Sequence, residues 1–284
     1  MSEQHVRDAR PVVLITGGSR GIGRATSQHL ASLGWRVFAT AREISGPAPV
    51  GPDTEPEGRG ELVRLHADVR NSVSLRTAIA GTLERTCGRL DAVVANAGIA
   101  AVGTFVDTPP DVLGAMMETN YFGVLNTVRE TLPALRKARG RIVVISSDAA
   151  IYGAPGLAGY SATKFALEGW AESVAYELRP YGVRMSIVRP GAFRTDIWQS
   201  RIYRPEPGSG SDLRLAEALA ANWAAAADRA ADPAVVASAV ERALTAAEPK
   251  LRYTVGRDAR QAAALRRLLP ERLFTRFVEH ANRL

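Results

Sequence analysis

The sequence predicts a single α/β domain built on a doubly wound, mostly parallel sheet of about seven strands. Three observations carry that reading. Short apolar, β-branched runs alternate with helix-patterned stretches from residue 12 to about residue 190. A glycine-rich turn follows the first run directly and opens the first helix. The chain has 284 residues, of which 46% are apolar, enough for one large core.

In chain order, residues 12–16 (VVLIT) read as a strand buried on both faces. A helix follows from near Ile22 and stops at Gly34, a residue type that favours helix C-termini. Further strands are predicted over residues 35–40, 62–67, 91–95, 141–146 and 183–189, with helices starting near Ser72, Pro110 and Ala158. A seventh strand, residues 251–255, would close one edge of the sheet. Residues 44–60 (ISGPAPVGPDTEPEGRG) are rich in Pro and Gly and lack periodicity, which predicts a long, partly disordered surface loop. The alternation breaks after Thr195. A Pro/Gly/Ser stretch over 203–211 and an Ala-rich helix over 213–230 predict a mobile lid spanning about 194–230. The tail is helical in pattern, with Leu265, Leu269, Phe274 and Phe277 among arginines, giving a C-terminal helical extension over about 257–284. Residues 1–10 are polar and predicted flexible, so the domain spans 11–284.

Composition narrows the function classes. A single cysteine, Cys87, excludes an internal disulfide, and four scattered histidines give no metal-ligand spacing, so no metal is expected. The polar start lacks the apolar stretch of a secretory leader, and no run of roughly 18 apolar residues appears, so a cytoplasmic protein without membrane insertion is expected. The net charge of +7 raises the question of nucleic acid. The arginines are spread along the chain with no compact basic block, so no nucleic-acid partner is expected and an anionic cofactor accounts better for the balance.

The glycine turn reads Thr16-Gly17-Gly18-Ser19-Arg20-Gly21-Ile22-Gly23. Placed between strand and helix, it aims backbone amides and the helix dipole at a pyrophosphate, so Gly17, Ser19, Arg20, Gly21, Ile22 and Gly23 are candidate cofactor contacts. In this Rossmann-type arrangement an acidic residue after the second strand would hold the adenosine ribose of NAD. Here the sequence is Ala39-Thr40-Ala41-Arg42. Arg42, with Arg20 expected to close on the same point, presents planar donors suited to a phosphate, so NADP(H) is expected in preference to NAD(H).

Tyr160 and Lys164 stand four apart at the start of a predicted helix and share a face, and Ser147 precedes Tyr160 by thirteen residues. Reduction of a ketone builds negative charge on its oxygen, which calls for a proton donor and a second hydrogen-bond donor. Tyr160 and Ser147 can fill these roles, and the Lys164 ammonium is expected to lower the phenol pKa from near 10.

Over roughly residues 10–200 the chain resembles the short-chain dehydrogenase/reductase family. The resemblance rests on the T-G-x-x-x-G-x-G form of the glycine loop, Ser147, and Tyr160-x-x-x-Lys164. It implies a catalytic tetrad of Asn120, Ser147, Tyr160 and Lys164, with Asn120 on a kinked helix. It further implies adenine contact by Asp68 and Val69, sheet bracing by Asn96, Ala97 and Gly98, and nicotinamide-side contacts from Pro190, Gly191, Phe193 and Thr195. Ala95 stands where the family often has a second asparagine. A homodimer or homotetramer built on helices over 111–135 and 158–178 is also implied.

The expected activity is hydride transfer between NADP(H) and a carbonyl or secondary alcohol. Alternatives are a non-catalytic cofactor-sensing protein, against which the retained Tyr160 and Lys164 argue, and an epimerase or dehydratase on the same scaffold. Phe193, Trp198, Ile202, Tyr203, Leu213, Leu215, Leu219 and Trp223 give the lid more apolar bulk than a small polar substrate requires. The run Pro190 to Asp196 and the long tail resemble hydroxysteroid and retinol dehydrogenases and similar bacterial reductases, implying a hydrophobic substrate.

Overall fold

The computed structural model describes residues 9–43, 60–199, 201–205 and 212–282. The expected loop over 44–60 lies outside these residues except for Gly60, as do most of the predicted flexible start and the 206–211 part of the lid.

Among the described residues, seven strands form one sheet in the order β3-β2-β1-β4-β5-β6-β7. They are β1 (Val12–Thr16), β2 (Arg36–Ala41), β3 (Glu61–His66), β4 (Ala92–Ala95), β5 (Arg141–Ile145), β6 (Arg184–Pro190) and β7 (Arg252–Val255). Every pairing is parallel. β1 pairs with β2 on one side, Val13 opposite Val37, and with β4 on the other, Val13 opposite Ala92. The chain order therefore reverses at β1, and the crevice beyond the C-terminal ends of β1 and β4 is where such a sheet binds ligands.

Side chains alternate across each strand. Leu14, Phe38, Val93 and Ile142 enter one core layer, whereas Val13, Ile15, Val37, Val94 and Val143 enter the other. The first layer is covered by α2 (Ser72–Arg85), α4 (Gly123–Ala138) and α5 (Ala158–Leu178), which follows α3 (Pro110–Met117). The second is covered by α1 (Gly21–Ser32) and α7 (Ala234–Thr245), which follows α6 (Leu213–Asp228); Leu30 and Val240 belong to this layer. Apolar helices on both faces explain why the strands read as unbroken apolar runs.

Local signals set the helix ends. Asn71 caps α2 by accepting from the Val73 and Ser74 amides at 3.0 Å each. Gly34, after α1, has φ +91°, a conformation glycine adopts without strain. Two expected helices are divided. The one starting at Pro110 is interrupted by a π-helical turn at Glu118–Phe122, which holds Asn120. The tail forms α8 (Arg257–Leu268) and α9 (Glu271–Ala281), separated at Pro270, whose ring cannot continue a helix.

Candidate active site

A cleft of ≈ 1430 Å³ runs across the C-terminal ends of the strands, from the glycine turn past Arg42 and Asp68 to Ser147, Tyr160 and the loop after β6. Its floor begins at the turn between β1 and α1. Gly17 and Gly21 take positive φ there, +66° and +53°. A Cβ on Gly17 would sit 2.9 Å from the Ala97 backbone, and one on Gly23 would sit 2.1 Å from the Gly17 carbonyl oxygen. Glycine is therefore required for the turn to close. The N-cap of α1, Arg20, makes no side-chain cap bond, so no side chain caps the first amides of α1, which face the cleft. A glycine-rich turn, a helix start without a side-chain cap and a long cleft fit a nicotinamide dinucleotide.

Asn96 braces this end. Its Nδ2 donates to the Thr16 and Gly17 carbonyls at 3.0 Å each, and its own amide donates to Thr16 Oγ1 at 3.1 Å. Ala97, Gly98, Pro190, Gly191 and Thr195 line the cleft with it. Phe193 lines it too, but only 2% of the residue is exposed, in the core layer with Val236 and Val255, so it serves as wall.

The adenosine end departs from the sequence reading at two points. Arg20 and Arg42 both line the cleft, and Arg20 Nε lies 3.8 Å from Asp196 Oδ2, an opposite charge the sequence did not place there. Glu43, one residue beyond Arg42, lines the same end. It is outnumbered, since Arg24, Arg42 and Arg64 line this end as well. Asp68 is paired with Arg70 at 2.7 Å, and that hydrogen bond holds its carboxyl below the usual range.

At the other end Ser147, Tyr160 and Lys164 line the cleft, whereas Asn120 does not line it and lies behind α5. Asn120 is fully buried; its Oδ1 accepts from the Ile99 amide at 2.8 Å and its Nδ2 donates to the Ile99 carbonyl at 2.8 Å and to Thr163 Oγ1 at 3.1 Å. Thr163 precedes Lys164 on α5, so Asn120 joins the loop after β4 to α5 next to Lys164. Lys164 Nζ donates to the Ile145 carbonyl at 2.9 Å and lies 5.6 Å from the centre of the Tyr160 ring. Ser147 is not part of β5, which ends at Ile145; it starts a 3-10 turn, Asp148–Ala150, with its Oγ accepting from the Ala149 amide at 3.2 Å.

The expected lowering of the Tyr160 pKa by Lys164 is not what the geometry gives. Burial pushes the phenol up to about 12, against a hydrogen bond with Ser147, and Asp148 adds to the rise. Burial also brings Lys164 down to about 8, opposed by Glu168. At neutral pH the phenol holds its proton and the ammonium is still mainly charged.

The lid is stitched down where it is described. Val102 and Ile202 form an isolated bridge, and Phe193 pairs likewise with Ala231. Trp198 Nε1 donates to the Phe193 carbonyl at 2.6 Å, Trp223 Nε1 donates to the Trp198 carbonyl at 3.2 Å, and the two rings are 4.4 Å apart. Trp198, Leu219 and Trp223 line the cleft, whereas Ile202, Tyr203, Leu213 and Leu215 do not. Sequence reasoning missed Asp148, Tyr152, Asp258 and Asn282, which also line it. Asp148 adjoins Ser147 and was open to notice, whereas Asp258 and Asn282 arrive through tertiary packing of the tail.

A fold with nucleotide-binding topology and an acid-bearing cleft defines a class, the dinucleotide-dependent oxidoreductases. Residues 11–205 match the family model described as short chain dehydrogenase. The chain is 36% identical over 202 residues, 71% of each chain, to a 3-ketodihydrosphingosine reductase of Bacteroides thetaiotaomicron. It is 34% identical over 257 residues to the human 17-beta-hydroxysteroid dehydrogenase type 1, covering 86% of this chain and 77% of the relative. A short-chain dehydrogenase structure from Streptomyces avermitilis superposes with a TM-score of 0.76 at 31% identity, covering 90% of this chain and 92% of the other. The protein is a member of the short-chain dehydrogenase/reductase family, similar to its hydroxysteroid dehydrogenases.

Proposed function

We propose that the protein is an NADP(H)-dependent carbonyl reductase, working reversibly as an alcohol dehydrogenase, on a hydrophobic ketone or secondary alcohol. The observation that carries this is the buried Tyr160 phenol, beside Ser147 and Lys164, lining the same cleft as the glycine turn. When bound, the nicotinamide would supply or accept the hydride. The chain's own residues handle the proton. Tyr160, neutral at pH 7, would give its proton to the carbonyl oxygen as negative charge builds there, and Ser147 would donate a hydrogen bond to the same oxygen. Lys164 would stabilise the phenolate left behind and offer its remaining donors to the ribose. In the oxidation direction the phenolate would take the alcohol proton.

Arg42, with Arg24 and Arg64 at the same end, supports NADP(H) over NAD(H), since a 2′-phosphate is bound best where positive charge exceeds negative. Trp198, Leu219 and Trp223 beside the reactive end support an apolar substrate. The relatives named as a ketone reductase and a hydroxysteroid dehydrogenase agree with both directions of the reaction. The exposed Phe122, Phe165 and Tyr176, in the π turn and on α5, suit the homo-oligomer expected on these helices. A screen of apolar ketones with each cofactor tests the proposal. NADPH should bind roughly ten- to a hundredfold tighter than NADH, the scale of one charged hydrogen bond, and Arg42→Ala should erase most of that difference. Equal affinities in the wild type would contradict the cofactor assignment.

A further inference from the structure

We propose that Asp148 is a positioning residue that sets the direction of the Ser147 hydroxyl, and that ketone reduction proceeds from the form in which the Asp148 carboxyl is protonated. The proposal rests on the reductase reading above and deepens it. Ser147 Oγ lies 2.9 Å from Asp148 Oδ1, accepts from the Ala149 amide at 3.2 Å and lines the cleft beside the Tyr160 phenol, whose titration it influences. A serine hydroxyl has one proton to give and two lone pairs to receive with. The Ala149 amide fills one lone pair in every state.

An ionised Asp148 can only accept, so the Ser147 proton points to it across the 2.9 Å contact. The second Ser147 lone pair is then open to the Tyr160 O–H. Both donors that should meet a carbonyl oxygen are turned onto protein atoms. A protonated Asp148 reverses the arrangement: its own O–H fills the second lone pair of Ser147, and the Ser147 proton is released. Tyr160 can no longer donate to Ser147, so its O–H is also free to face the cleft. One proton on Asp148 thus makes both donors available together.

The surroundings put that switch in an accessible range. Burial raises the Asp148 carboxyl to about 6, and the negative charge of Asp258 adds to the rise against the Ser147 hydrogen bond. The other titratable groups facing it are Tyr160 of α5 and Tyr152 of the next turn. Lys164 is held at the Ile145 carbonyl, and Arg189 of β6 is paired with Glu168.

The test is the pH profile of kcat with NADPH and a reducible ketone for the wild type and Asp148→Asn. Above pH 6 the wild-type kcat should fall roughly tenfold per unit. Asp148→Asn should be flat between pH 5 and 7.5, and at pH 7.5 should exceed the wild type roughly tenfold or more, a gain that structural damage cannot produce. An active wild type whose profile Asp148→Asn leaves unchanged overturns the role of Asp148 alone. Absence of turnover with every ketone counts against the reductase reading instead. Carbon NMR titration of labelled aspartates decides the hydrogen bond without turnover. The Asp148 carboxyl should titrate near 6 and move higher in Ser147→Ala, which lacks the donor that favours the carboxylate. An Asp148 carboxyl that titrates in the ordinary range near 4 in the wild type, or does not move in Ser147→Ala, overturns the proposal.

Discussion

Lys164 shows how much a single position in this site must reconcile. The residue is only 4% exposed and its ammonium has one backbone acceptor, the Ile145 carbonyl, while Glu168 lies one helical turn further on. Its folded pKa of about 8 is below the ordinary value of 10.5, so between those values the unfolded chain binds more protons than the folded one. Stability from this group therefore rises as pH goes from 8 to 10.5, and below 8 the buried charge is a full cost. Thermal melts of Lys164→Met and wild type should differ most in the variant's favour near pH 7, and the difference should shrink towards pH 10. A difference that does not change over this range would show that Lys164 is not held as a buried cation. Tyr160 and Lys164 were legible as a pair because their i, i+4 spacing is fixed by the helix. The direction of the phenol shift was not, because it depends on how deeply the finished site is buried.

Among the elements, the seven strands lie within one residue of their expected bounds, since runs such as VVLIT and RIVVI have only one place to go in a sheet covered on both faces. The helix divisions were harder to read. Pro270 marks one plainly. The π turn at Asn120 owes its place to the Ile99 backbone on both sides of the Asn120 amide, a contact across 21 residues that local periodicity does not reveal. The lid expected from composition over 194–230 carries two indole donors and one bridge, Val102 to Ile202, in its described parts, and a second bridge, Phe193 to Ala231, joins its two ends. Trp223→Ala removes one donor and the ring packed on Trp198. Losing a half-buried aromatic contact should cost on the order of 2 kcal/mol locally, so amide exchange over residues 196–199 and 201–203 should speed up roughly thirtyfold. Exchange unchanged from the wild type would mean that the indoles do not fasten this segment. Ketone KM should rise with little change in cofactor affinity.

At the scale of the molecule, the parallel sheet brings the groups that follow its central strands to one edge. The glycine turn after β1, Asn96 after β4, Ser147 after β5 and Pro190 at the end of β6 lie in one cleft because all four strands run the same way. That much of the site follows from strand order and short motifs. Trp198 and Trp223 were legible as apolar bulk after β6, but the packing of one ring on the other was not, and Asp258 and Asn282 of the tail reach the cleft through contacts between distant segments that left no pattern in the sequence. The central claim is that this cleft moves a hydride while Tyr160 moves the matching proton. The most direct test is kcat and NADPH Kd for Tyr160→Phe beside the wild type, with a ketone that the wild type reduces. The ring is preserved and only the hydroxyl is lost, so kcat should fall by about 10²- to 10⁴-fold while NADPH Kd stays within about twofold. Near-wild-type kcat with hydride transfer shown to be rate-limiting would contradict the account.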